Sequence, residues 1–514
     1  MISLRWCTLA LYVSLLPTFS VTSANQGHAG PADNTLVVGA LTDPQTLDPA
    51  SGTLGTDIPF LYPLYDRLID FEPKTLELRP GLATSWSWSD NRRALQLKLR
   101  PGVKFHDGTS LDAAAVKTNI EYFKSLRKNF DLDGVTSVEV VDPQTVVLHL
   151  DKPNSTLPGL LAERAGMMLS PAGLEKYGKD FGQHPVGTGP FMLKELVAGK
   201  AVVYQKFPDY WNKGEPKLDL IEFRVIRNAT SLVSALQSGQ LDYAANLDPI
   251  NLPVLQRNAN LRVAVEPTIA FSIINLNSGT PPLNDARVRR AIAMSIDRQA
   301  LANAAFGAAA KALPANLPVP PNYWPSTPAL EKVFTYRPEE AKKLLAEAGY
   351  PDGITFSLCA PASAGTPLPA PKLVDIMREQ MKPVGIKVES QQVASGAACV
   401  EMFNKKAMPT FMATWSGRPD PAITYAQVLS TKTAYNVGQT KFGEAEDVIA
   451  QLYATSDRGE QKKLIDKLNA LWVEHVPMIT LYYYVNAVAY NAKLAGEQPN
   501  LLGRPYVRTL YFKK

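Results

Sequence analysis

Residues 93–105 read RALQLKLRPGVKF. Leu95, Leu97 and Leu99 alternate with polar neighbours, the pattern of a strand with one buried and one wet face. Pro101-Gly102 punctuates the run, and Val103 and Phe105 resume it, which predicts an antiparallel hairpin. The same grammar returns with Val138 and Val140, a turn at Asp142-Pro143, and Val146, Leu148 and Leu150. Upstream, Leu36 to Ala40 predicts a buried strand, halted by Asp43-Pro44 and again by Asp48-Pro49.

Helical spacing takes over downstream. Asn228 or Thr230 can cap a helix through Leu232, Val233 and Leu236 to Gly239. Val288, Ile292 and Ile296 recur every fourth residue, predicting one helix that ends near Gly307, with Arg287, Arg289 and Arg290 on its wet side. Pro338 opens a helix that Gly349 closes. Leu464, Leu468, Leu471 and Trp472 form another apolar stripe. Pro314, Pro318, Pro320, Pro321, Pro325 and Pro328 mark a long loop over 313–328, and 361–371 is a second. Strands and helices mixed in this way predict an α/β or mixed α+β architecture. The length of 514 residues allows two to four lobes.

Composition narrows the function. Hydrophobic residues make up 46% and charged residues 20%, an ordinary globular balance. The net charge of +5 is scattered, whereas nucleic-acid binding needs a concentrated basic face. Arg5, the apolar run Thr8 to Phe19, and Thr22 and Ala24 follow the order of a cleaved secretory signal over residues 1–24, with Ala29 as a second cleavage point. Cys7 lies too early for a lipid-bearing cysteine. The mature chain is therefore expected outside the cytoplasm, in the periplasm. That compartment permits a disulfide between Cys359 and Cys399, two buried thiols being the alternative. His28, His106, His149, His184 and His475 show no metal-ligand spacing, so neither a metal nor a cofactor is expected.

Catalytic signatures are weak. Ser125-Leu126-Arg127-Lys128 reads SxxK and Ser89-Asp90-Asn91 reads SDN, but their order is reversed and no KTG occurs. GxSxG, HExxH and GxxxxGK[ST] are also missing, so an enzyme is not expected.

Several segments in fixed order resemble the extracytoplasmic solute-binding proteins of family 5, the peptide and nickel receptors of ABC importers. They include TLDP (46–49), LYDRLIDFEPKTLELRPGLATSW (64–86), LRPGVKFHDGTSLDAAAVK (99–117) and HPVGTGPF (184–191). PDYWNKGEPKLDLIEFRVI (208–226), ALQSGQLD (235–242) and NDARVRRAIAMSIDR (284–298) continue the series. The resemblance implies a two-lobed, type II periplasmic-binding-protein-like fold with a third domain inserted in lobe I. Lobe I is expected at 34–75, 190–270 and 480–514, the extra domain at 76–189, and lobe II at 271–479. A monomer would close on a ligand and dock on an inner-membrane permease, ATP hydrolysis belonging to other subunits. An exported chaperone or sensor on the same fold is the competing reading.

The stretch ATWSGRPDPAITY (413–425) decides the ligand expectation. In the peptide receptors an acidic residue after a Trp-x-Gly-like turn meets the peptide ammonium; here Arg418 takes that place. Its planar fork suits a carboxylate or phosphate, so a small peptide or anionic peptide-like solute is expected. Asp420 could orient Arg418 or meet a ligand amine. Trp415, with Ser416 beside it, could stack on the ligand or wall the pocket. By resemblance, Ser51 and Gly52 contribute backbone contacts, and Tyr435 and Asn436 lie in a second cleft loop.

Overall fold

A computed structural model describes residues 34–52, 55–89, 92–126, 132, 134–321, 323–362 and 370–513. The expected signal segment and parts of the SDN and SxxK stretches lie outside the described residues.

Buried on both faces, Thr35–Ala40 pairs in parallel with Leu220–Val225 and with Tyr243–Ala244. Leu36 and Val38 pack on one side with Tyr204 and Phe223, while Val37 packs on the other with Leu232 and Leu236. This strand sits inside a ten-stranded sheet. Its spatial order is Ile386–Val393, Ile354–Pro361, Thr410–Trp415, Leu261–Leu276, Met478–Asn491, Tyr243–Ala244, Thr35–Ala40, Leu220–Val225, Ala201–Lys206, Phe191–Val197.

Two long antiparallel strands join the halves of that sheet. Leu261–Leu276 and Met478–Asn491 run in continuous register from Leu261 opposite Asn491 to Pro267 opposite Val485. Register then shifts between Pro267 and Phe271 and again before Ile273, and resumes to Asn275 opposite Met478. Proline cannot donate to a ladder, so the irregularity at Pro267 has a local cause. On one side of the break the ribbon meets Tyr243–Ala244; on the other, Thr410–Trp415.

The alternating segment 94–99 forms its strand but not the expected hairpin. Ala94–Leu99 pairs with Ala83–Trp88 and Thr145–Leu150, and residues 103–105 turn away with Val103 and Phe105 buried. The second expected hairpin forms, with Val135–Asp142 against Thr145–Leu150. Helix Ala113–Leu126 buries Val116, Ile120 and Phe123 and packs on these two strands.

The single helix expected across 288–307 is two helices, Ala286–Met294 and Arg298–Phe306. Asp285 caps the first through the Arg287 N–H, and Asp297 caps the second through the Ala300 N–H. Arg289 corrects the wet-face expectation: it is 2% exposed and donates to the carbonyls of His475, Val476 and Leu283. Arg298 is also buried and donates to Ala293, Ala315, Phe334 and Thr480 carbonyls. Carbonyls from distant segments replace water around both guanidiniums, and burial pushes their pKa values down to about 10 and about 9.

Cys359, on Ile354–Pro361, and Cys399, on helix Gly396–Asn404, are joined in a disulfide with Cα atoms 5.7 Å apart. Phe403, Met408 and Phe411 bury the bond.

Candidate functional site

The candidate site is built around the loop 416–420, between strand Thr410–Trp415 and helix Pro421–Leu429. Gly417 lets the chain turn at φ +69°, and a Cβ there would come within 2.6 Å of Ile269 on the long ribbon. Only glycine meets both demands cheaply. Pro419 then holds Arg418 to extended backbone, since the residue before proline is disfavoured in the helical region. The loop is thus seated on the ribbon next to its register break.

Arg418 is half-buried and makes no hydrogen bond or ion pair among the described residues. Its charge acts on Tyr435, whose phenol is pushed up by burial and drawn partly back by Arg418. Tyr435 meets Trp415 edge-on at 4.8 Å. Trp415 is 6% exposed, lies against Phe271 at 6.2 Å and donates its indole N–H to Thr424 at 3.1 Å. Its ring belongs to the wall under the loop. Ser416 is exposed.

Asp420 does not pair with Arg418. Its Oδ1 accepts the Ala422 N–H at 2.9 Å, capping helix Pro421–Leu429. Burial pushes its carboxyl up to about 6, with the Ala422 N–H and the Arg458 charge pulling the other way. Asn436 is spent inside its own loop, donating to Ser430 and Thr440 carbonyls and accepting the Thr440 N–H. It fixes the loop that presents Tyr435.

Ser51 and Gly52 lie on a separate turn held by Asp48, which accepts the Ala50 N–H and the Tyr122 hydroxyl. Ser51 is exposed, whereas Gly52 is buried, 2.7 Å separating its would-be Cβ from Arg164. The segment 157–164 links this turn to the Arg418 loop. Gly159 at one end packs on Asp420, its would-be Cβ 3.6 Å away, and Arg164 at the other faces Gly52. Both turns therefore border one wall.

Two side chains absent from the sequence-based set also border this region. Tyr484, on Met478–Asn491, is hydrogen-bonded to Thr414 at 2.8 Å, and Tyr323 donates to the Pro419 carbonyl. Strand alternation marks Tyr484 as sharing a face with Tyr482, but nothing local in the proline-rich stretch singles out Tyr323.

Two surface cavities, of about 530 and 340 Å³, lie elsewhere and meet at Trp211 and Asn212. In the smaller one Arg508 donates to Asp66, which also accepts the Trp211 and Tyr210 protons, so its charges are internally matched. Among the described residues no group of three or more His, Cys, Asp or Glu side chains could hold a metal. No described helix is long and apolar enough to cross a membrane.

Comparison with known proteins agrees with this architecture. The profile of bacterial extracellular solute-binding proteins, family 5 Middle, matches residues 77–436. The glutathione-binding protein GsiB of Escherichia coli O1:K1 / APEC is 31% identical over 502 residues, covering 95% of this chain and 96% of that protein. HbpA2 from Haemophilus parasuis superposes with a TM-score of 0.82 at 24% identity, covering 94% of this chain and all of the other (100%). MoaA from A. tumefaciens R10, solved with mannopinic acid, has a TM-score of 0.75 at 25% identity, covering 94% and 100%. The fold is that of two-lobed periplasmic binding proteins, and the chain belongs to the bacterial extracellular solute-binding proteins of family 5.

Proposed function

We propose that this solute-binding protein captures a small peptide or peptide-like solute through an anionic group held by Arg418, and delivers it to the permease of an ABC importer. The observation that carries the reading is a half-buried guanidinium with no partner of its own, seated beside the ribbon that joins the two halves of the sheet. A half-buried guanidinium without a counter-ion is free to meet a ligand carboxylate in bidentate contact. GsiB by name binds glutathione and MoaA was solved with an opine acid, both consistent with an anionic, amino-acid-derived ligand.

In this reading lobe I spans 34–75, 190–270 and 480–514, the extra domain 76–189 and lobe II 271–479. Leu261–Leu276 and Met478–Asn491 act as the hinge, and closure brings the Asp48–Gly52 turn and the Arg418 loop onto one ligand. The protein is exported with residues 1–24 removed, works as a monomer, and releases its ligand chemically unchanged.

A thermal-shift screen of the mature protein tests this against glutathione, opine acids, dipeptides with a free or an amidated C-terminal carboxylate, nickel–histidine and haem. A ligand at 100 times its Kd adds about 2.7 kcal/mol of stability. Stabilisation by compounds that carry a free carboxylate is expected; equal stabilisation by dipeptides whose C-terminal carboxylate is amidated, or none by any carboxylate compound, would overturn the assignment.

A further inference from the structure

The proline-rich stretch, described over 313–321 and 323–328, lies against the loop that carries Arg418, and side chains pin it there. Tyr483 Oη lies 2.7 Å from the Leu317 carbonyl and 2.9 Å from that of Val319. Arg298 Nε donates to Ala315 at 3.1 Å, and Asn469 Nδ2 donates to Thr327 Oγ1 at 2.9 Å. Held near both ends, the stretch turns Tyr323 inward. Tyr323 is 4% exposed and its hydroxyl donates to the Pro419 carbonyl. Its neighbour Trp324 carries the Arg458 guanidinium 3.9 Å over its ring, and that same cation offsets the charge on Asp420. The stretch therefore grips the loop just beyond Arg418 on two adjacent residues.

The backbone at Arg418 has few other freedoms. Gly417 is fixed by the close approach of Ile269, and the Pro419 ring fixes its own φ and restricts Arg418. What remains adjustable is the peptide after Pro419, and its carbonyl is the acceptor that Tyr323 holds. Proline offers no N–H, so this carbonyl is the backbone handle of that residue.

We infer that Tyr323 is a positioning residue for Arg418, its bond to the Pro419 carbonyl fixing the loop so that the guanidinium is aimed before ligand arrives. The inference rests on Arg418 being the ligand anchor. Pre-organisation of this kind raises affinity by removing the ordering cost of binding.

The test combines a ligand-free and a ligand-bound measurement on the full mature chain. In Tyr323→Phe, amide exchange at Ala422 and Ile423, whose N–H groups donate to Asp420 at the end of the loop, should accelerate at least tenfold, while the strand Ile354–Pro361 keeps its wild-type rates. With glutathione and mannopinic acid as probes, Tyr323→Phe should raise Kd about three- to tenfold, the size expected from one net hydrogen bond. In an Arg418→Gln background the same change should cost nothing, because the group it aims is gone. Unchanged exchange, or an equal loss in both backgrounds, overturns the positioning role. A loss on Arg418→Gln with none on Tyr323→Phe overturns this inference alone. No loss on Arg418→Gln, or no binding of either probe, overturns the anchor itself and the inference with it.

Discussion

Arg418 and Asp420 stand two residues apart and do not bond to one another: Asp420 turns onto the Ala422 N–H, leaving Arg418 beside Tyr435. A carboxylate that paired with Arg418 would have neutralised the loop. By capping the following helix instead, Asp420 lends rigidity without consuming the cation.

Arg418→Ala should therefore weaken binding of an anionic ligand at least tenfold, about 1.4 kcal/mol. Arg418→Lys keeps the charge but not the fork and should fall between the two. Isothermal titration with glutathione checks this, and equal affinities for all three proteins would dismiss the contact.

Asp420 makes a separable claim. Its folded pKa of about 6 exceeds the 3.8 of a free carboxyl, so the folded state holds the proton more tightly and stability from this group declines as pH rises from about 4 to about 6. Asparagine preserves the cap without the charge. Asp420→Asn should match the wild type below pH 4 and melt higher above pH 6, whereas Asp420→Ala should lose about 1 kcal/mol of capping. Melting curves across pH read both.

Glu497 and Glu266 give a second pH dependence. Burial, then repulsion from Glu266, pushes Glu497 up to about 8, against some relief from the Tyr243 hydroxyl at 3.1 Å. Because the folded value lies above the ordinary 4.5, stability should fall as pH rises from about 4.5 to about 8. Glu497→Gln should flatten that slope and surpass the wild type at pH 8 and above, as scanning calorimetry would record.

The Cys359–Cys399 bond closes a loop across a sequence separation of 40, which in the chain-entropy description corresponds to about 4 kcal/mol. Replacing both cysteines with alanine should lower the melting temperature, and dithiothreitol should destabilise the wild type but not the variant. A wild type indifferent to reductant would contradict the assignment.

Much of the architecture was legible because buried strands and helical stripes leave local periodicity. The segment 36–40, the cap at Asn228 and the helix opening at Pro338 all follow from neighbours in sequence. Failures came where the partner is remote. Alternation in 94–99 says which face is buried but not which strands lie alongside, and the neighbours are Ala83–Trp88 and Thr145–Leu150 rather than 103–105. Ile296 is buried in step with Val288 and Ile292, so the period ran through the break that Asp297 starts anew. Arg289 reads as a wet-face charge because its acceptors, His475 and Val476, are far along the chain. At the candidate site, Arg418 stands out only through the family resemblance, and its contact with Tyr323 through Pro419 is not legible, since proline-rich stretches have no period.

The order of strands in the large sheet also sets a timetable. Thr35–Ala40 is flanked by Leu220–Val225 and Tyr243–Ala244, and the latter leans on Met478–Asn491. The sheet therefore stays unfinished until Met478–Asn491 is in place, and its assembly waits on contacts between segments far apart in sequence.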